Sequence, residues 1–383
     1  MLINKQTIDF LDVADTPVVC IIYNRGRFVR NLINTLRQIK PRRILVVADG
    51  PITDNSEDDQ ACEQARAEVE RIDWECIIER DYADRNLGCN RRIVSGLDWA
   101  FSLVDKAVIL EDDIDAHPHF FKWATRMLDA YAGRDDVAMV SGHNPLVRWP
   151  HVVKNTGGIP SRRSGIWGWA TWRHKWRSVK QTSIKGSLSL VADDITRCRF
   201  EPSLEALYTY YLEEARKVPN LSWDCDWTLR MAVSGRVAII SPINLIHNLG
   251  VGADATHTKD ADNLILCPAR PLAQADFANE PLLSPTTLCL FPEGSDDRVF
   301  DRARVLIELL VRTRDPAMAK RLVRHPNLPV DGKTTLHLLP FRYHKETLHW
   351  IEHIAAEAAE PSTVQRWRHA LAEGFAPSAQ KSK

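Results

Sequence analysis

Hydrophobic and polar positions in the first 145 residues follow two alternating periods. Apolar runs such as residues 17–23 are short and nearly continuous, which is typical of strands buried on both faces. Between them, apolar residues such as Phe28, Leu32, Leu36 and Ile39 recur at helical spacing. The predicted strands span residues 17–23, 43–48, 74–79, 106–110 and 137–141, and the predicted helices span residues 28–39, 60–72, 90–103 and 118–131. This alternation predicts an α/β fold with a mostly parallel sheet and helices on both faces.

Polar side chains stand at the ends of several predicted strands, where parallel sheets bind their ligands. They belong to Tyr23-Asn24-Arg25, Asp49, residues 86–92 and Glu111-Asp112-Asp113. No GxGxxG motif follows the first strand, and the chain contains no Walker A motif. The sequence therefore disfavours dinucleotide oxidoreductases and P-loop enzymes.

The acidic triplet Glu111-Asp112-Asp113 is the most informative of these groups. Three like charges at the exit of a buried strand are costly unless a cation is bound or some of the carboxyls are protonated. Mg²⁺ and Mn²⁺ use one or two carboxylates and take their other ligands from water and substrate phosphates. A solvated loop, or an N-cap for the helix that begins near Pro118, is the alternative. The position at the ligand-binding edge favours a metal site.

The pattern changes beyond residue 150. Residues 157–172 are rich in glycine and tryptophan. Clustered tryptophans more often pack in a core than bind a ligand, but the glycines between them allow a ligand or acceptor to approach closely. After a helical region, Asp224 and Asp226 stand between Trp223 and Trp227. Apolar surroundings raise the pKa of a carboxyl, as a general base requires. An ordinary helix N-cap at Asp224 is the alternative. A strand at 236–240, residues 244–248 and a loop at 250–258 follow.

Composition and charge narrow the function classes further. The 383 residues include 50 basic and 50 acidic side chains, and this balance argues against a general nucleic-acid binder. No run approaches the about 18 apolar residues of a membrane span, and no signal peptide is visible, so we expect a cytoplasmic protein. The eight cysteines form no CxxC pair, so free thiols are expected.

The hydrophobic pattern predicts helices in the last part of the chain. From about residue 296 onward, Val299, Ala303, Leu306 and Leu309 recur at helical spacing. We expect a helical region over residues 296–376, in which no chemistry is apparent, and a disordered tail over residues 377–383.

The order and spacing of these segments resemble a known family of enzymes. Residues 23–25, the Asp49-Gly50 turn, residues 86–91 and residues 109–113 resemble the GT-A nucleotide-sugar glycosyltransferases. Residues 165–172, 223–227, 248–250 and 254–258 are similar to the bacterial branch labelled hemolytic protein HlpA-like, and residues 108–121 resemble the metal-binding segment of N-acetylglucosaminyltransferase I. The resemblance covers about residues 16–300. It implies a GT-A domain over residues 1–295, with a nucleotide-sugar half at 1–145 and an acceptor half at 146–295.

The resemblance also implies a nucleotide-sugar site. Arg25 and Asp49 match positions that contact the base and ribose, Arg91 matches a basic side chain that meets the nucleotide, and Asp112 would face the ribose or the metal. The full expected set for the nucleotide sugar is Tyr23, Asn24, Arg25, Asp49, Arg91, Glu111, Asp112, Trp167 and Gly168.

The expected metal and base follow from the same resemblance. Asp113 would ligate Mn²⁺ or Mg²⁺, and His257, or alternatively His247, would complete the metal site. Asp224 or Asp226 would be the general base. The HlpA-like branch often has a neutral amide at the position of Asp226, so the choice between the two stays open with a slight preference for Asp224.

The expected reaction is transfer of a sugar from a nucleoside diphosphate, with UDP favoured, to a hydroxyl of a glycan, lipid-linked or protein acceptor. An in-line displacement would invert the anomeric carbon, and a retaining route stays open. The acceptor could hold the protein at the inner membrane, and a homodimer is left open. One alternative is a sugar-nucleotide nucleotidyltransferase, but such enzymes usually carry a basic, glycine-rich loop after the first strand, and residues 24–27 resemble it only weakly. The other alternative is a non-catalytic nucleotide-sugar-binding protein, in which an intact acidic triplet is not expected.

Overall fold

A computed structural model of the chain describes residues 13–145, 157–182 and 222–250. The expected metal ligand His257, most of the loop at 250–258, the helical region at 296–376 and the tail at 377–383 lie outside the described residues. So does much of the expected acceptor half. No helix in the described ranges is long and apolar enough to cross a membrane.

The first part of the chain alternates strictly between strands and helices. Its elements are β1 (Val18–Ile22), α1 (Gly26–Ile39), β2 (Arg43–Ala48), α2 (Ser56–Val69), β3 (Ile77–Tyr82), α3 (Cys89–Leu103) and β4 (Lys106–Glu111). Every residue of β1 is buried, as its apolar run predicts. Helix α1 ends at Ile39 and is followed by Lys40, which adopts a left-handed conformation just before Pro41.

The second part contains shorter elements. They are β5 (Ile114–Ala116), α4 (Pro118–Ala130), β6 (Val137–Ser141), β7 (Ile159–Ser161), β8 (Trp169–Trp172), α5 (Arg173–Lys180), α6 (Trp223–Val233), β9 (Val237–Ile240) and β10 (Ile246–Asn248).

Eight strands form one sheet in the order β3-β2-β1-β4-β8-β6-β9-β7. The pairings make β8 and β7 antiparallel to their neighbours, while the other strands run in one direction. Strands β5 and β10 pair separately as an antiparallel ribbon. The sheet is mostly parallel and flanked by helices, which confirms the predicted α/β class.

The core lies on both faces of the sheet. Helices α3, α5 and α6 cover one face, and α1, α2 and α4 cover the other. Trp169, Trp176, Trp223 and Trp227 meet on the first face, where the rings of Trp176 and Trp227 stack with centroids 4.9 Å apart. All four are buried. These tryptophans are therefore packing residues, in keeping with the more common of the two interpretations of the tryptophan-rich segments.

Two elements begin three or more residues away from their predicted starts. The third strand was expected at residues 74–79, but β3 begins at Ile77. The reason is that Trp74 packs outside the ladder and donates its indole N–H to the carbonyl of Pro41 at 3.0 Å. Helix α2 was expected from residue 60 but begins at Ser56, because the side chain of Asn55 caps it by accepting a hydrogen bond from the N–H of Asp58.

Candidate functional site

The acidic triplet lies at the end of β4, in the middle of the sheet. Glu111 is the last residue of the strand, and Asp112 and Asp113 form the turn into β5. Arg25, which precedes α1, donates from its Nη2 to Asp112 Oδ1, and its Nη1 lies 3.0 Å from Asp113 Oδ2. One guanidinium therefore joins the two aspartates and brings the end of β1 to the end of β4.

The electrostatics of this cluster favour a cation. Burial raises the pKa of Glu111, and the negative charges of Asp113, Asp112 and Asp224 raise it further. Burial also raises the pKa of Asp112, although the ion pair with Arg25 opposes this effect. Four carboxyls thus lie near one another with the charge of Arg25 beside them. A divalent cation bound here would favour the ionised forms of these groups.

Tyr23 and Asn24, which were expected to bind the nucleotide sugar, are held by a residue that the sequence did not single out. The Tyr23 hydroxyl donates to Asp58 Oδ2 and the Asn24 amide to Asp58 Oδ1, each at 2.6 Å. The N–H of Ile52 donates to the same carboxylate at 2.7 Å. Burial alone would raise the pKa of Asp58, but these hydrogen bonds lower it. Asp58 therefore fixes the loop after β1.

Asp49 has a structural role that the sequence did not indicate. Its carboxylate accepts hydrogen bonds from the backbone N–H groups of Gly50 and Leu87 at 2.9 Å and of Gly88 at 3.1 Å. These bonds tie the end of β2 to the loop that leads into α3. The contact of Asp49 with the base or ribose stays a prediction.

The two arginines of α3 differ in their surroundings. Arg91, expected to meet the nucleotide, is exposed on the first turn of the helix. Its neighbour Arg92 is buried and donates to the carbonyl of Ala48 and to the backbone and side chain of Asp81. Arg92 therefore joins β2 to β3, and the contact of Arg91 with the nucleotide stays a prediction.

Trp167 and Gly168 lie at the same edge of the sheet, because β8 begins where β4 and β6 end. The half-buried Trp167 packs on His143 with ring centroids 4.8 Å apart. Gly168 has a φ of +59°, and a Cβ added there would overlap Ile246 Cδ1 and lie 2.7 Å from Ile246 Cγ1. Close packing against β10 therefore accounts for this glycine without a ligand.

The two candidate bases have different surroundings. Asp226 forms an ion pair with Arg230 one helical turn later, at 2.8 Å, and Arg230 also donates to the carbonyls of Lys180 and Thr182. The charge of Asp224 instead acts on Glu111 of the acidic triplet. Asp224 therefore lies within electrostatic range of the acidic triplet, while Asp226 is paired with Arg230.

Asp113, the metal ligand expected from the sequence, lies against the end of β10. Its carbonyl accepts a hydrogen bond from the N–H of Leu249 at 2.8 Å, and a Cβ on Gly250 would overlap its carboxylate. His247 lies opposite Asp115 in the β5–β10 ribbon. Within the described ranges, no three His, Cys, Asp or Glu side chains form a ready metal cluster. The carboxylates nevertheless fit Mg²⁺ or Mn²⁺, which draw most ligands from water and phosphates.

Comparisons with known proteins give distant structural similarity and no sequence relative. No protein-family model and no curated protein sequence matches the chain. Among solved structures, a UDP-glucose pyrophosphorylase complexed with UDP-glucose aligns over 61% of this chain and 93% of its own, with 11% identity and a TM-score of 0.32. At that TM-score the similarity supports no inference about function.

Proposed function

We propose that the chain is a metal-dependent glycosyltransferase, which moves a sugar from a nucleoside-diphospho-sugar, with UDP as the favoured carrier, to a hydroxyl of a glycan, lipid or protein acceptor. The observation that supports this proposal is the cluster at the carboxyl edge of the sheet. There Glu111, Asp112 and Asp113 lie beside Arg25, and the charge of Asp224 acts on Glu111. Parallel α/β sheets bind ligands at this edge, and carboxylates suit a hard cation with a diphosphate.

Asp113 is the proposed ligand of Mn²⁺ or Mg²⁺. The cation, when bound, would stabilise the negative charge on the leaving nucleoside diphosphate. Arg25 already holds Asp112 and Asp113 in place, so little reorganisation is needed when the donor binds. Asp58 contributes in the same way by fixing Tyr23 and Asn24 beside the expected nucleotide.

Asp224 is the proposed general base. The hydroxyl of an acceptor has a very high pKa, so a carboxylate must take its proton as the bond to the anomeric carbon forms. Asp226 is less suited, since its charge is engaged by Arg230. Attack by a hydroxyl deprotonated at Asp224, on the side opposite the leaving diphosphate, would invert the anomeric configuration.

The class of reaction is tested by the product released. The purified chain is incubated with Mn²⁺ in two sets of reactions, one with a panel of sugar nucleotides and one with nucleoside triphosphates plus sugar 1-phosphates, and nucleoside diphosphate and inorganic diphosphate are measured separately in each. A glycosyltransferase releases nucleoside diphosphate. A nucleotidyltransferase acting on a nucleoside triphosphate and a sugar phosphate would instead release inorganic diphosphate, and a binding protein would release neither. Release of nucleoside diphosphate with undiminished turnover in excess EDTA would contradict the metal-dependent mechanism.

The base is tested by a matched pair of variants on one helix turn. We expect Asp224→Asn to lower turnover by about 10²–10⁴-fold, the range for loss of a general base. Asp226→Asn should change turnover and stability little, because the partly exposed ion pair of Asp226 with Arg230 contributes about 0–1 kcal/mol to stability. Donor binding, measured as a thermal shift with the sugar nucleotide, should survive in both. Near-normal turnover in Asp224→Asn would exclude Asp224 as the base.

A further inference from the structure

We infer that Asn90 is a positioning residue for Asp224, and that it acts by capping helix α6 from outside. This inference rests on the proposed function, because it gives Asn90 a part in the transfer only if Asp224 is the base. Asn90 lies in the first turn of α3, while Asp224 lies in the first turn of α6, more than 130 residues later.

The first turn of α6 lacks a cap from its own segment. The first N–H groups of any helix have no partner within the helix, and the side chain of the residue just before it usually supplies an acceptor. That residue here is Ser222, whose side chain makes no capping hydrogen bond. Instead, the N–H of Trp223 donates to Asn90 Oδ1 at 2.9 Å. The acceptor therefore comes from α3.

This bond fixes the backbone next to Asp224. The ring of Trp223, the first residue of α6, stacks on Trp169 in the core with centroids 6.1 Å apart. This contact fixes the side chain of Trp223, and the Asn90 bond fixes its backbone N–H at the tip of the helix. The Asn90 bond joins this tip to the part of the chain that forms the acidic cluster.

Asn90 itself is anchored to the ligand-binding edge. The loop before it is held by Asp49, whose carboxylate accepts from the N–H groups of Leu87 and Gly88. The Asp49 hydrogen bonds, the backbone of residues 88–90 and the Asn90 hydrogen bond therefore link the end of β2 to Trp223. An asparagine suits the position, because it accepts a hydrogen bond without adding a negative charge next to the residue that precedes Asp224.

The test measures turnover and donor KM separately in Asn90→Ala, with Ser222→Ala as the matched control on the other side of the helix terminus. We expect Asn90→Ala to lower kcat about 10- to 100-fold, the cost of a misplacement of about 1 Å, while donor KM changes less than about threefold. Ser222→Ala should keep kcat, because its side chain makes no cap bond. Unchanged kcat in Asn90→Ala would overturn the inference. If Asn90→Ala does not fold, Asn90→Ser is measured in its place.

A double variant that combines Asn90→Ala with Asp224→Asn separates a positioning role from a general structural effect. Residues that act through one another lose their effects together, so Asn90→Ala should lower kcat little further in a chain that already carries Asp224→Asn. If the two losses multiply, Asn90 acts independently of Asp224 and the inference fails, while the proposed base stands. If Asp224→Asn alone has near-normal turnover, the assignment of the base fails, and with it the inference.

Discussion

Gly168 allows the packing at the ligand-binding edge to be tested with two matched alanine variants. In Gly168→Ala, the left-handed φ of +59° costs about 1–2 kcal/mol. The added methyl overlaps Ile246 Cδ1 and lies 2.7 Å from Ile246 Cγ1, and overpacking of this kind costs about 1–3 kcal/mol more. Gly235 has a similar φ of +73° with no atom within 4 Å of its would-be Cβ. We therefore expect Gly168→Ala to lose about 2–5 kcal/mol and Gly235→Ala only about 1–2 kcal/mol.

The free energy of unfolding is measured by urea denaturation followed by tryptophan fluorescence, which reports on the buried cluster around Trp169 and Trp176. If the overlap with Ile246 causes the extra loss, adding Ile246→Ala to Gly168→Ala should cost less than the sum of the two single variants. Equal losses in Gly168→Ala and Gly235→Ala would refute the packing argument. A stable Gly168→Ala that no longer binds the sugar nucleotide would instead support the contact expected from the sequence.

Two further predictions concern the acidic cluster and a buried lysine. Asp113→Ala should abolish turnover and leave the melting temperature nearly unchanged, because this carboxylate lies at the edge of the core; full activity would exclude Asp113 as the metal ligand. Burial lowers the pKa of Lys175 from 10.5 to about 8. Between these values the unfolded chain binds more protons, so the stability of the wild type relative to Lys175→Met should rise with pH by on the order of 3 kcal/mol. A pH-independent difference, measured by urea denaturation at pH 7 and 10.5, would contradict the shift.

The sequence predicted the fold where burial leaves a clear pattern. Strands β1, β2 and β4 are covered on both faces, and therefore their residues form apolar runs that stand out from the helices between them. Strands β7 and β8 escaped prediction because each has only three or four residues, too few to show a period.

The site was predicted only as far as single residues carry a signal. The acidic triplet was visible because three carboxyls after a buried strand are unusual. Asp58 was not singled out, and Asn90 was noted only as part of residues 86–92, since each acts through a partner distant in the chain: Asn24 lies 34 residues from Asp58, and Trp223 lies 133 residues from Asn90. Polar residues with such partners look like ordinary surface residues until the chain is folded.

The place of β8 in the sheet has a consequence for how the chain is made. Strand β8 separates β4 from β6, yet it follows both of them in the sequence. During synthesis, the buried strand β4 therefore has one unpaired edge until residues 169–172 leave the ribosome. An apolar strand with an open edge is a template for pairing with other chains. The growing chain thus passes through a stage in which the strand that ends in the acidic triplet is exposed to aggregation.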